Sequence, residues 1–208
     1  MHQGAIVLCG GQSSRMGRDK ATLPFGPESM LGRVVRLLCQ IVSPTNVVVV
    51  AAQEQQLPVL SEQVIITWDD RPCRGPLEGI AAGLRAMPAG VEAVYVTSCD
   101  VPLLVPGFVH CMFEHLKDQH VAVPYDGQYH HPMAAVYRPQ VLSSIDSLLD
   151  DDMLRPRFLY DRVPTVEVPV EVLRTVDPNL LTLMNLNHPE DYQAALKEAG
   201  LCVKVEQG

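Results

Sequence analysis

A chain of 208 residues, 47% hydrophobic and 19% charged, is long enough for one domain with a substantial buried core and has the composition of an ordinary globular protein. Its formal net charge of −8 argues against a general nucleic-acid or anionic-membrane surface, although one local basic loop can still hold a phosphate. The six cysteines show no C-x-x-C spacing, the longest purely apolar run (residues 47–52) is too short to span a bilayer, and no charged-then-apolar leader opens the chain, so a cytoplasmic setting is expected.

In chain order, the apolar run 5–8 reads as a buried strand. It enters the stretch Leu8-Cys9-Gly10-Gly11-Gln12-Ser13-Ser14-Arg15-Met16-Gly17-Arg18-Asp19-Lys20. Two adjacent glycines let backbone amides approach a ligand with no Cβ in the way, and successive amides in such a turn form an anion-binding concavity. Arg15 and Lys20 place cations beside it, as a polyphosphate requires. Gly17 is not followed by Lys-Ser/Thr, and G-x-G-x-x-G is absent, so neither a P-loop nor the dinucleotide fingerprint is present. The plain alternative is a glycine-rich surface turn with solvated arginines.

Apolar residues Leu31, Val34, Val35, Leu38 and Ile41 predict an amphipathic helix over 30–42, stopped by Ser43-Pro44. Residues 47–50 are β-branched at every position, as a parallel strand covered on both faces should be. A helix over 53–62 and a strand over 64–67 are expected next. Pro76 suits the first turn of a helix beginning in Gly75-Pro76-Leu77-Glu78-Gly79. A strand over 94–97 delivers Asp100 just past its end, and a helix over 108–116 follows. Strands are expected at 121–123 and 134–137 and helices at 141–149 and 153–160. Residues 165–170, flanked and interrupted by Pro164 and Pro169, suit only an edge strand. A last helix over 189–199 ends at Gly200. Strands alternating with helices make an α/β, doubly wound, mostly parallel sheet. Ligands in such sheets sit beyond the carboxyl ends of the strands, which brings the Gly10 loop and Asp100 to one crevice.

Leu8-x-Gly10-Gly11-x-Ser13-x-Arg15-Met16-Gly17-x-x-Lys20 resembles the signature loop of nucleotidyltransferases that condense an NTP with a phosphorylated or phosphate-like acceptor. Within them the chain is similar, over essentially its full length, to the molybdenum cofactor guanylyltransferase family. The resemblance implies a three-layer, Rossmann-like fold forming a single domain, 1–208, whose N-terminal half binds nucleotide and whose C-terminal half binds acceptor. It implies transfer of GMP from MgGTP to molybdenum-molybdopterin, with release of pyrophosphate. Such chemistry needs no protein nucleophile, only alignment and stabilisation of charge on the transferred and leaving groups.

The same resemblance assigns residues. Arg15, Lys20 and Asp100 would be catalytic, with Asp100, in Ser98-Cys99-Asp100-Val101-Pro102, holding Mg2+. Leu8, Cys9, Gly10, Gly11, Lys20, Asp69 and Asp100 would bind the nucleotide. The segment from Asp69 to Gly79 is similar to the part that frames base and ribose; Asp69 has the commoner spacing, with Asp70 the alternative, and a carboxylate can accept both N–H donors of guanine. Asn185 and Asn187, in a turn similar to N-x-N-x-P-E-D, and Arg155 would face the acceptor, with Arg157 nearby. His130-His131-Pro132 resembles a turn near the acceptor site. One departure is Ala51-Ala52, where the family often supplies an Asn. Plain alternatives are an Asp capping a turn, an Asn before a helix and a solvated arginine face. The implied partners are GTP, the molybdopterin cofactor, and proteins that insert molybdenum or receive the product. Competing functions are a cytidylyltransferase or sugar-phosphate nucleotidyltransferase of the same fold, or a non-catalytic nucleotide-binding protein.

Overall fold

In a computed structural model of the chain, residues 1–10, 19–69, 71 and 74–201 are described. Gly11, Arg15, Arg18 and Asp70 lie outside the described residues. The first half runs β1 (Gln3–Leu8), a small hairpin β2 (Pro24–Phe25) and β3 (Glu28–Ser29), α1 (Met30–Leu38), β4 (Val47–Ala51), β5 (Ile65–Trp68), α2 (Pro76–Ala86) and β6 (Ala93–Ser98). The second runs α3 (Pro106–Leu116), β7 (Val121–Tyr125), β8 (Ala135–Tyr137), α4 (Leu142–Asp150), α5 (Arg157–Tyr160), β9 (Thr165–Pro169), α6 (Val170–Leu173) and α7 (Pro189–Glu198).

The strands other than the hairpin form a seven-stranded sheet in the order β5-β4-β1-β6-β8-β7-β9. β5, β4, β1 and β6 are mutually parallel, and β7 is parallel to β9. Only β8 runs against its neighbours. The result is the mostly parallel, doubly wound sheet expected from the strand–helix alternation. β9 ends the order, as its prolines require.

Alternation along each strand splits the core in two. Ala5 and Val7 of β1 pack with Val34, Leu38, Phe108 and Met112 on one face. Ile6 and Leu8 pack with Ile80, Leu84, Ile145 and Leu148 on the other. These are the three layers implied by the resemblance. A third cluster, with Phe25, Met30, Leu186 and Leu196, seats the hairpin against α7. Among the described residues no helix is long and apolar enough to cross a membrane.

Two expected helices are cut back and a third is replaced by a turn, each for a local reason. The helix over 30–42 ends at Leu38, and i→i+3 bonds from Gln40 to Leu37 and from Ile41 to Leu38 tighten the exit. The helix over 53–62 does not form. A turn closes at Gln55 N to Ala52 O with Glu54 at φ 62°, and Pro58 disfavours helical geometry at Leu57. The helix over 153–160 reduces to Arg157–Tyr160, because Asp152 is left-handed at φ 57° and Pro156 admits a helix only at its start.

Candidate active site

The register between β1 and β6 pairs Leu8 with Ser98. Gly10 and Asp100, each two residues further on, therefore emerge side by side at the carboxyl edge of the sheet. A Cβ on Gly10 would stand 3.0 Å from Asp69 Oδ2, and one on Gly79 in the first turns of α2 would stand 3.4 Å from Asp69 Oδ1. The two glycines thus leave the space the Asp69 carboxylate occupies. Asp69 is anchored just past β5 by its own amide, which donates to Ala51 O at 3.0 Å.

Lys20 lies on a short 3-10 turn, Lys20–Thr22, whose first free amide is capped: Ala21 N donates to Asp19 Oδ1 at 2.9 Å. Its ammonium donates to Asp100 Oδ2 and to Asn187 Oδ1, each at 2.8 Å. Asp100 is buried and also accepts the Ser98 hydroxyl, while its carbonyl accepts the Leu186 amide at 2.9 Å. That last bond fastens the β6 turn to the segment before α7. Asp191 then reaches back, its carboxylate accepting the Asn187 and His188 amides at 3.1 and 2.9 Å. Two oxygens from separate segments thus converge on one cation. Such hard donors also fit a magnesium ion, which typically takes one or two carboxylates and fills its other positions with water and phosphate oxygens.

Other groups at this edge escaped the sequence reading. Glu78, 1% exposed on α2, lies 3.3 Å from Arg71 Nε and 3.8 Å from Arg74 Nε. Arg74 also meets Asp152 and the Leu149 carbonyl, tying α2 to the end of α4. Gln55 bridges Cys9 and Asp19. The one available signal for Glu78 was a carboxylate inside an otherwise small and apolar helix face. Cys9 and Cys99, both buried, follow the paired ends of β1 and β6 and immediately precede Gly10 and Asp100. The hydrogen bond to the Cys99 thiol, and then burial, hold the Cys9 thiol well above its ordinary pKa.

The expected acceptor residues divide. Asn187 joins Lys20, whereas Asn185 is exposed and, among the described residues, stands outside that cluster. Arg155 is exposed and, with Arg157 and Phe158, lines a cleft of about 1290 Å³ beside β7 and β9. Tyr125, His130 and Tyr160 form a ring cluster there, with centroid separations of 4.9 and 5.1 Å. His130 pairs with Glu167 at 2.7 Å and His131 with Asp126 at 3.3 Å, so each histidine has its own carboxylate. The carboxyl end of β7 lies two strand spacings from that of β6, roughly 10 Å along the same sheet edge.

Residues 5–168 match the family model described as the MobA-like NTP transferase domain. Relatives from Mycobacterium avium and Carboxydothermus hydrogenoformans are 36% and 33% identical, over 93% and 92% of this chain and 95% and 93% of theirs; both carry the name "Probable molybdenum cofactor guanylyltransferase". A crystal structure of molybdopterin-guanine dinucleotide biosynthesis protein A from Archaeoglobus fulgidus has the same fold, with a TM-score of 0.76 at 22% identity over 96% of this chain and all of that one. So does 2-C-methyl-D-erythritol 4-phosphate cytidylyltransferase from Thermus thermophilus, at TM-score 0.68 and 14% identity over 96% of this chain and all of that one. With the match covering most of its length, the chain belongs to the MobA-like NTP transferase family.

Proposed function

We propose that the protein transfers GMP from magnesium-bound GTP to the terminal phosphate of molybdenum-molybdopterin, giving the guanine dinucleotide form of the cofactor and pyrophosphate. The observation that carries this reading is the meeting of Lys20, Asp100 and Asn187 at the sheet edge where Gly10 emerges, in a chain whose full-length relatives carry the guanylyltransferase name. An oxygen of the acceptor phosphate forms a new bond to the GTP α-phosphorus, and the bond from that phosphorus to the bridging oxygen breaks. The electron pair leaves with pyrophosphate.

No side chain is consumed in this exchange, so the protein's work is electrostatic and positional. Lys20, with Arg15, offsets negative charge on the transferred and leaving phosphates. The amides of Gly10 and Gly11 cradle phosphate, and Leu8 and Cys9 supply the strand end that carries them. Asp69 accepts from the nucleoside, with Gly10 and Gly79 leaving it room. Asp100 and Asn187 would hold the metal, which, when bound, neutralises phosphate charge. The cleft lined by Tyr125, His130, Tyr160 and Arg155 offers aromatic faces and a cation, a combination suited to a planar, anionic pterin. On this reading the two halves of the domain serve nucleotide and acceptor respectively.

The test is pyrophosphate release from purified protein given magnesium, the molybdopterin acceptor and GTP, CTP, ATP or UTP in turn. Release with GTP alone is expected. Release with CTP instead would overturn the assigned base, and no release with any nucleotide would overturn the reaction.

A further inference from the structure

We infer that Gln55 is a positioning residue for the nucleotide site: it locks the Asp19–Lys20 turn to the end of β1 and so sets where the Lys20 ammonium stands. Gln55 lies in a segment where the sequence predicts only a continuing helix. Its carboxamide nitrogen donates to the Cys9 carbonyl at 3.2 Å and to both Asp19 carboxylate oxygens, at 3.0 and 2.9 Å. Its carbonyl oxygen accepts the Ala52 amide at 2.9 Å. One side chain thus ties together the end of β1, the cap of the Lys20–Thr22 turn, and the exit of β4.

Asp19 is the link from Gln55 to the chemistry. Its carboxylate caps the 3-10 turn through the Ala21 amide, and the next residue, Lys20, reaches Asp100 and Asn187. A freely rotating Asp19 could cap the turn in several orientations; the Gln55 carboxamide selects one. The backbone that presents Gln55 is itself in a demanding conformation. Gln55 N closes a turn onto Ala52 O, and Glu54 takes the left-handed φ of 62° inside it. A non-glycine residue held there signals surroundings that over-determine the turn, and such strain clusters at functional sites. The carboxamide meets the pattern's two opposite demands, a donor towards Asp19 and Cys9 and an acceptor towards Ala52. Glutamate at this position would keep the acceptor, lose the donor and set a second negative charge against Asp19.

This inference rests on the guanylyltransferase reading only for its kinetic consequence. The test uses the full chain carrying Gln55→Ala or Gln55→Glu, with three readouts. The first is amide hydrogen exchange at Ala21 and Leu23, whose amides bond Asp19 and the Lys20 carbonyl. Exchange at least tenfold faster than in the wild type is expected in both variants, with exchange in the β1 and β6 core unchanged. The second is pyrophosphate release: kcat is expected to fall tenfold or more in Gln55→Ala and further in Gln55→Glu, with KM for GTP changed less than threefold, because small misplacements of a catalytic group are costly. The third is the thermal midpoint without ligand, expected to stay within a few degrees of the wild type.

Unchanged exchange at Ala21 and Leu23 would overturn the inference, as would wild-type kcat in both variants of an active enzyme. A global fall in midpoint with uniformly faster exchange would reduce Gln55 to a residue of general stability, which also overturns it. If the wild type releases no pyrophosphate with any nucleotide, the guanylyltransferase reading fails, and the exchange measurement still decides whether Gln55 positions the Lys20 turn.

Discussion

Lys20 and Asp100 are 15% and 12% exposed at their side chains, deep enough for their attraction to exceed that of a surface pair and for either to suffer when the other is removed. Replacing Asp100 with Ala leaves the ammonium, among the described residues, with Asn187 and removes the proposed metal ligand. Its carbonyl still accepts from Leu186, so the turn retains its backbone bond. The Asp100→Ala protein is therefore expected to fold, to lose about 1–3 kcal/mol of stability, and to turn over at least 100-fold more slowly. Chemical denaturation read beside pyrophosphate release checks both effects. Turnover near the wild-type rate in a folded protein would remove Asp100 from the mechanism.

At the scale of elements, the site depends on how closely α2 approaches β1. Gly83 is buried mid-helix, where exchange for alanine ordinarily stabilises by up to about 1 kcal/mol. Here a Cβ would meet the Cδ1, Cγ1 and Cγ2 atoms of Ile6 at 2.7–2.8 Å, close to the base of a β-branched side chain in a packed strand. Overpacking wins, and Gly83→Ala is expected to destabilise by about 1–3 kcal/mol in an equilibrium denaturation experiment. A stabilised variant would mean that α2 can slide on the sheet.

The hairpin β2–β3 offers a pH test at the same scale. Glu28 accepts from Arg36 at 2.9 and 3.0 Å and pairs with Arg33, whose Nε donates to the Pro102 carbonyl beside the Asp100 turn. The hydrogen bond from Arg36 is the largest influence and lowers the Glu28 pKa; burial opposes it, and the charges of Arg36 and Arg33 lower it further, leaving it below its ordinary value. A carboxylate lowered on folding stabilises above its unfolded pKa, about 4.3, and loses that contribution as pH falls through its folded value. Glu28→Gln should accordingly melt below the wild type at pH 7, with the gap closing as the pH is taken below about 4. A gap that stays constant across that range would show that the charge contributes nothing.

For the whole molecule, binding must register as stability, because a ligand that prefers the folded state shifts the unfolding equilibrium by mass action. At a hundred times its dissociation constant a ligand adds about 2.7 kcal/mol, or roughly 5–10 °C in the midpoint for a domain of this size. MgGTP is expected to give this shift, with CTP, ATP and UTP giving little, and chelation of magnesium should reduce it because a triphosphate alone meets a protein of net charge −8. A shift equal for all four nucleotides would place the recognition in the phosphates and remove Asp69 from base selection.

Residue patterns alone identified the seven strands of the main sheet, the family and the edge of the sheet where a ligand belongs, but not the hairpin β2–β3. A strand covered on both faces must be apolar at every position, as Val47–Ala51 is, and a glycine pair after such a strand is a local, readable signal. Local breakers were harder to weigh. The helix expected over 53–62 gave way to a turn with Glu54 at positive φ, where Pro58 disfavours a helix and the Gln55 side chain bonds Cys9 and Asp19 across the fold. The reversed direction of β8 and the clamp at Gln55 had no signature within their own segments, and the only sign of the burial of Glu78 was its place among small and apolar residues of α2. Only the tertiary structure decided that Lys20 meets Asp100 and Asn187, residues 80 and 167 positions away. Periodicity reports which face of an element is buried. Which side chains meet at the end of a sheet depends on strand order and register, and these are set by the packing of the whole core.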